Sequence, residues 1–288
     1  MQRAQPGGYA AHIAAGPEQV LSVSPELFFD WQDAPGGGRI LARPMKGTAA
    51  RGATPDEDAA QAAHLRASPK ERAENVMIVD LLRNDLSRIA QPHSVRGPAL
   101  FHPEGLPTVW QMTADVQART RAGIRLSDVF AALFPCGSVT GAPKVRAMQM
   151  IRALESAPRG VYCGAVGVVR PAGVAGPDGL CSVAATFNVP IRTVVLRAGA
   201  DGATTATCGI GSGITSGATA DAEWNEWRHK RAFVERASAP FDLLETLALV
   251  DGRLRHLAEH LARLQGAAAH FAVPFDAAAV QHCLQALA

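Results

Sequence analysis

Several features that would assign a class at once are scarce or absent from the sequence. Its five cysteines, Cys136, Cys163, Cys181, Cys208 and Cys283, lie far apart and form no Cys-x-x-Cys pair. That argues against a zinc site or a disulfide framework and for a reducing compartment. No apolar run is long enough to cross a bilayer. The opening Met1-Gln-Arg-Ala-Gln-Pro-Gly-Gly8 lacks the apolar segment of a signal peptide. The formal charge of +2 comes from intermixed Arg, Asp and Glu with no basic run, so neither nucleic acid nor a membrane is an expected partner. A cytoplasmic enzyme is the default reading. With 288 residues, 48% of them hydrophobic, the chain suffices for one large domain or a domain and a half.

Two glycine-rich loops lack the residues of the nucleotide motifs they imitate. Gly209-Ile-Gly-Ser-Gly213 has no third glycine at the dinucleotide offset and no βαβ unit around it. Gly137-Ser-Val-Thr-Gly-Ala-Pro-Lys144 lacks the Gly-Lys-Ser/Thr core, and Pro143 removes an amide that a phosphate cradle would use. Either loop could bind a carboxylate through backbone N–H groups. Either could equally be a turn that needs glycine for its backbone.

What is present reads as paired strands with helices interspersed. Strands are expected at 9–14, 20–23, 27–29 and 40–43, at 95–100 and 107–116, and in long alternating stretches over 162–170 and 182–197. Helices are expected near 55–66, 70–87, 126–133, 145–154 and 219–236, with Pro44–Gly52 and 208–217 as loops. The order has no regular βαβ repeat, so the fold class is α+β. After Val234 the character changes. Ser238-Ala-Pro240 is a plausible joint, and 243–256 reads as a hairpin around Asp251-Gly252, followed by a helix striped with Leu257, Leu261 and Leu264.

The acids fall in odd places. Glu74 lies three, four and seven residues before Met77, Ile78 and Leu81, on their helical face, with Glu71 a turn earlier. A carboxylate on an apolar stripe costs several kcal/mol unless something pairs with it. The plain alternative is a first-turn acid offsetting the helix dipole. Glu223-Trp-Asn-Glu226 puts two more carboxylates one turn apart, with Lys230 four residues beyond Glu226. This is either an exposed ion pair or half of a hard oxygen site for Mg²⁺ shared with Glu74. Lys46, between Met45 and Gly47, reads as a surface lysine on base rates. A nucleophilic lysine must be neutral, and Arg43 and Arg51 are candidate neighbouring cations to make it so. Arg192 would grip a carboxylate if buried.

Together these segments resemble a known family. Ser24-Pro-Glu26, Pro44-Met-Lys-Gly-Thr48, Glu74-Asn-Val-Met-Ile-Val-Asp-Leu-Leu-Arg-Asn-Asp85, Gly137–Lys144, Ile191-Arg-Thr193, Gly211-Ser-Gly213 and Glu223-x-x-Glu226 occur in the order of the chorismate-utilising enzymes, over about residues 8–236. The resemblance implies an antiparallel two-sheet β-sandwich surrounded by helices, with an N-terminal part missing. Lys46 sorts the members: aminodeoxychorismate synthases carry Pro-Ile-Lys-Gly-Thr there and anthranilate synthases an Ala, so amination of chorismate to 4-amino-4-deoxychorismate for folate synthesis is implied. Ammonia would come from a partner glutamine amidotransferase.

Carried over, Lys46, Glu74 and Glu226 would be catalytic. Glu74, Glu226, Glu223 and Glu71 would serve Mg²⁺, and Tyr162, Arg192, Gly211, Ser212, Gly213, Lys230 and Thr140 would hold the substrate. Residues 1–237 would form that domain. The tail, 238–288, resembles the start of a pyridoxal-phosphate-dependent aminodeoxychorismate lyase, with Arg263 matching its phosphate-binding arginine and the Schiff-base lysine outside these residues. The resemblance thus implies an interior slice of a fusion protein. Gln111 stands where many members have His, Cys136 where Gly is usual, and Gly217-Ala218 where Asp-Ser is common. An anthranilate synthase, or an inactive fragment that only contacts a partner, are the competing readings.

Overall fold

Leu27-Phe-Phe-Asp-Trp-Gln32 buries Leu27, Phe28, Phe29 and Trp31 and exposes Asp30 and Gln32. An alternating strand laid on a core has this pattern, here thickened by a second aromatic. In the computed structural model, which describes residues 1, 8–106, 109–175, 181–238, 242–271 and 273–286, this segment is one of a long series. The chain runs β1 (Tyr9–Ala15), β2 (Glu18–Ser24), β3 (Leu27–Gln32), β4 (Arg39–Arg43), β5 (Met45–Ala50), α1 (Pro55–Ala67), α2 (Pro69–Ser87), β6 (Arg96–Gly105), β7 (Val109–Arg119), α3 (Leu126–Leu133), α4 (Lys144–Leu154), β8 (Val166–Ala175), β9 (Cys181–Asn188), β10 (Thr193–Ala198), β11 (Thr204–Cys208) and α5 (Ala220–Ser238). Pro107 and Pro240, on which a strand start and the joint were placed, lie outside the described residues, as does Phe241.

Every strand pair is antiparallel. One sheet has the order β1-β2-β10-β11; the other has β5-β7-β4-β3-β9-β8, with β6 added against β7. The chain passes between the sheets twice, at Ser24-Pro25-Glu26 and at Val189–Arg192. The two passages are tied together: the Ser24 hydroxyl donates to the Val189 carbonyl at 2.5 Å, and the Val189 N–H donates to the Glu26 carbonyl at 3.1 Å. The α+β class is as expected, and the element order explains it: hairpins bring neighbours together, while helices close the longer excursions.

The core lies on the larger sheet, where Phe29, Trp31, Ile40, Val116 and Ala185 meet Ile78, Val79, Leu82 and Leu86 of α2 and Val129 and Leu133 of α3. Phe29 packs edge-on to Phe28 and Phe130, with ring centroids 5.0 and 5.4 Å apart. The inner face of α2 is Asn75, Ile78, Val79, Leu82, Asp85 and Leu86. Met77 is 41% exposed, so the stripe expected to carry it is rotated by part of a turn. Two well-made starts hold α1 and α2. Thr54 and Glu57 form a reciprocal capping box, and the Ser68 hydroxyl accepts the Glu71 N–H.

Contacts divide the chain into Met1–Ala237 and Ser238–Ala288. In the second unit β12 (Leu249–Val250) and β13 (Arg253–Leu254) pair around Asp251 and Gly252, both with positive φ, as a type I′ turn requires. The hairpin is shorter than the 243–256 expected. Helices α6 (Leu257–Phe271) and α7 (Ala277–Gln285) follow, the latter capped by the Asp276 carboxylate.

Candidate active site

The stretch around Lys46 was expected to be a loop; it is β5. From Arg39 to Met45 the chain lies against β7 in one continuous register, Arg39 facing Arg119, Ala42 facing Val116 and Met45 facing Thr113. Beyond Gly47 the register has moved by one residue, Thr48 facing Gln111 and Ala50 facing Val109. One extra residue is therefore accommodated at Lys46-Gly47, and Gly47 supplies the left-handed backbone, φ 87°, that such a bulge uses. Bulges re-aim side chains, and this one carries Lys46. Its ammonium group donates to the Ser138 carbonyl at 3.0 Å. It stands beside Gly213, where a Cβ would lie 3.6 Å from Nζ.

At Gly47 a Cβ would fall 2.9 Å from the Glu71 carboxylate and 3.2 Å from Glu71 Cβ. Gly47→Ala is therefore expected to cost about 1–3 kcal/mol through the forbidden backbone alone, measured by urea unfolding. It should also disturb Lys46.

Ser138 belongs to the segment Phe134–Lys144, whose single 3-10 turn spans Gly137–Val139. The Thr140 hydroxyl donates back to the Cys136 carbonyl at 3.1 Å and closes the turn. Arg159 donates to the Val139 carbonyl at 2.9 Å while paired with Glu155. Cys136 is buried with Sγ 3.2 Å from Ser138 Oγ. Burial pushes its thiol up to about 12, so it is no nucleophile.

Close to Lys46 lies Glu26, from the Ser24-Pro-Glu26 motif. Glu26 is 4% exposed. Burial pushes its carboxyl above the ordinary range, opposed by the Ser138 side chain, by Lys46, by the Met45 backbone and by Lys230. Its Oε1 is buried and accepts no hydrogen bond. A proton on this carboxyl would relieve that cost.

The acids come from two helices. Glu71 and Glu74 sit half-buried on α2, whereas Glu226 on α5 is exposed. The Glu71 carboxyl is pushed upward by burial first, then by the negative charges of Glu74 and Glu226, with Lys70 and Lys46 opposing. The four expected ligands do not form one ready set: among the described residues no group of three His, Cys, Asp or Glu side chains is arranged to hold a metal ion. The reason is local pairing. Glu226 is bridged to Lys230 at 2.6 Å. Glu223 accepts from the Ser212 hydroxyl, which itself accepts the Trp227 indole N–H at 2.7 Å.

The remaining expected residues surround the glycine loop. Tyr162 precedes β8 instead of lying in it, and its ring packs against Gly209, with its hydroxyl next to Gly211. Lys230 donates to the Gly211 carbonyl at 2.9 Å. Arg192, half-buried, sits in the break between β9 and β10 with φ 51°, and its carbonyl accepts the Val23 N–H at 3.2 Å. The expected continuous strand over 182–197 is divided there.

Arg43 and Arg51 do not serve Lys46. Arg43 grips Asp115 through two bonds of 2.6 and 3.1 Å. Arg51 pairs with Asp58 at 2.5 Å and stacks 4.9 Å over Trp110. Gln111 faces Thr48 across the β5–β7 ladder. In the second unit Arg263 and His260 both engage the Glu245 carboxylate. Among the described residues no helix is long and apolar enough to cross a membrane.

Residues 1–236 match the family described as chorismate binding enzyme. Aminodeoxychorismate synthase component 1 of Klebsiella aerogenes is 47% identical over 167 residues, which are 58% of this chain and 36% of that protein. Anthranilate synthase component 1 of Streptomyces coelicolor is 37% identical over 231 residues, 80% of this chain and 42% of that protein. The crystal structure of anthranilate synthase component I from Streptococcus pneumoniae shares a TM-score of 0.63 and 30% identity, covering 81% of this chain and 47% of that one. The chain thus spans less than half the length of each of these relatives. From the bulged lysine strand to the paired acidic helices, the chain belongs to the chorismate-binding enzyme family.

Proposed function

We propose that the protein to which this sequence belongs aminates chorismate to 4-amino-4-deoxychorismate. The observation that carries the reading is Lys46, placed by the β5 bulge between the Ser138 carbonyl and Gly213, close to the buried Glu26. An amine there can act as a temporary nucleophile, which an alanine cannot. Lys46, once its ammonium has released a proton to solvent, attacks ring carbon C2 as both ring double bonds shift and the C4–oxygen bond breaks. The departing hydroxyl takes up a proton and leaves as water. Glu26, whose burial favours the protonated form, is the group next to Lys46 suited to hold that proton. Ammonia then adds at C4, both ring double bonds return, and the C2–nitrogen bond to Lys46 breaks, so the lysine is restored. Tyr162 and Lys230, which meet the Gly209–Gly213 loop, together with Arg192 and the Gly211–Gly213 backbone, would hold the carboxylates of the substrate.

Glu74 and Glu226, with Glu71 and Glu223 adjoining, are the residues that would hold a Mg²⁺ ion once Glu226 leaves Lys230, since as paired here they form no ready ligand set. They are hard oxygen donors, as a Mg²⁺ site requires. When bound, the ion would neutralise the substrate's ring carboxylate and favour departure of the hydroxyl. Losing a group that merely supports a metal ligand costs about 10–100-fold in affinity, so Glu74→Gln should raise the Mg²⁺ concentration for half-maximal rate at least about tenfold. A Mg²⁺ titration of initial rate checks this. Ammonia supply by a partner glutamine amidotransferase, and a cytoplasmic setting suited to the free cysteines, complete the proposal.

The test is product identity. The chain is incubated with chorismate, ammonium salt and Mg²⁺, and the products are separated by chromatography. Aminodeoxychorismate without pyruvate supports the reading; anthranilate with pyruvate overturns it. The second outcome has its own motive, since the Streptomyces anthranilate synthase aligns over 80% of this chain.

A further inference from the structure

Lys144 ends the glycine loop, and neither a phosphate cradle nor the proposed chemistry uses it. Its ammonium group is 2.5 Å from the Asp85 carboxylate, and the two side chains are only 13% and 6% exposed. Lys144 also donates to the Leu133 carbonyl at 2.9 Å. A buried ion pair is weak evidence for stability, because desolvation offsets much of the attraction, so its place in the fold is the more informative fact. Asp85 sits on the inner face of α2, eleven residues after Glu74, or about 16 Å along the axis. Lys144 begins α4, six residues after Ser138, whose carbonyl receives Lys46. A second contact between the same partners lies beside the first: Gly137 packs so closely on Leu81 of α2 that a Cβ would meet Leu81 Cγ at 3.0 Å.

We infer that Asp85 and Lys144 are positioning residues that register the Phe134–Lys144 segment on α2, and so set Lys46 relative to Glu71 and Glu74. The inference rests on the proposed role of Lys46 for its catalytic consequence, but not for its geometric one. Two groups reach Lys46 from different parts of the chain: Ser138 by its carbonyl, and α2 by the charge of Glu71. Without a tie between that loop and α2, each would be fixed only to its own surroundings. The pair supplies the tie at the point where the loop turns into α4. Because the Lys144 ammonium is also held by the Leu133 carbonyl, the tie includes the end of α3, just before the segment begins.

The test compares the unaltered chain with Lys144→Met, Asp85→Leu and the double variant Asp85→Leu/Lys144→Met. The single variants each leave one buried charge alone and should melt lowest; the double variant replaces both partners with apolar groups and should regain most of that loss. The decisive readout is Lys46 itself. Its rate of reductive methylation at fixed pH is followed by mass spectrometry of the Lys46 peptide, beside kcat and KM for chorismate. The double variant is expected to recover its melting temperature, yet to show Lys46 labelling changed about threefold or more and kcat lowered about tenfold, with KM within about twofold. A double variant with parental melting, labelling and kcat would overturn the inference and leave the pair a packing element. If the unaltered chain makes no aminodeoxychorismate, the function reading fails while the labelling still decides the positioning. If it is active and labelling does not move, the positioning alone fails.

Discussion

Lys46→Ala should lower the rate of aminodeoxychorismate formation by at least about 10³-fold, while chorismate binding changes by no more than about threefold. The asymmetry follows from what Lys46 touches. In this structure its ammonium group donates to a backbone carbonyl, that of Ser138, and the groups suited to substrate carboxylates are others: Arg192, Lys230 and the Gly211–Gly213 backbone. Removing the amine removes the bond that forms in the reaction but few of the contacts that seat the substrate, so kcat falls and KM does not. Single-turnover rates with ammonium salt and equilibrium binding of chorismate in Mg²⁺ are the two measurements. A variant that keeps more than a tenth of the parental rate would rule out the covalent lysine, whatever its binding. Lys46→Arg is the useful companion. It keeps the positive charge and the Ser138 contact but offers no neutral nitrogen at accessible pH, so it should be as slow as the alanine variant.

How much of this site could be read from the string depends on which contacts were local. Helical spacing puts Glu71 with Glu74, and Glu223 with Glu226, on common faces within a few residues, but only the family resemblance proposes them as metal ligands. Even there the face was misjudged by part of a turn. Met77 looks like core by residue type, whereas the inward positions include Asn75, whose side-chain polar atoms are buried without a hydrogen-bond partner, and Asp85, which pairs with Lys144. The β5 bulge was illegible: Pro44 and Gly47 are turn residues in isolation, and only pairing with β7, about sixty positions away, makes a strand of Met45–Ala50. Arg43 and Arg51 failed as partners of Lys46 for the same reason. Strand alternation and the cross-strand Asp115 and Trp110 decided where they point. Glu26 was invisible because nothing in Ser-Pro-Glu announces burial. Its environment is assembled from β5 and the 3-10 turn at Ser138, segments 20 to 112 residues distant. Resemblance to a family supplied the residue set; burial and register supplied the reasons for it.

Glu26→Gln should move activity and stability in opposite directions. The substitution keeps the shape and removes the titrating proton, so the rate should fall about 10²–10⁴-fold, the usual contribution of a placed general acid or base. Stability follows from the sign of the shift. The Glu26 carboxyl is raised in the folded chain above its ordinary value of 4.5, chiefly by burial. The folded state therefore binds this proton more tightly than the unfolded state does. Its contribution is fully present below the ordinary carboxyl range and is lost as pH rises through the raised value. Above that value the unaltered chain must either bury a carboxylate or spend free energy protonating it, and an amide does neither. Melting temperatures measured from pH 5 to pH 8 should show the glutamine variant gaining on the parent as pH increases. A merely structural carboxylate, paired with Lys46 as an ordinary salt bridge, predicts the reverse: the variant would lose stability at pH 8, because Lys46 would be left without its counter-ion. A variant less stable at pH 8 than at pH 5, relative to the parent, would assign Glu26 to that pair. A variant more stable at pH 8 and nearly inactive would assign it to the proton.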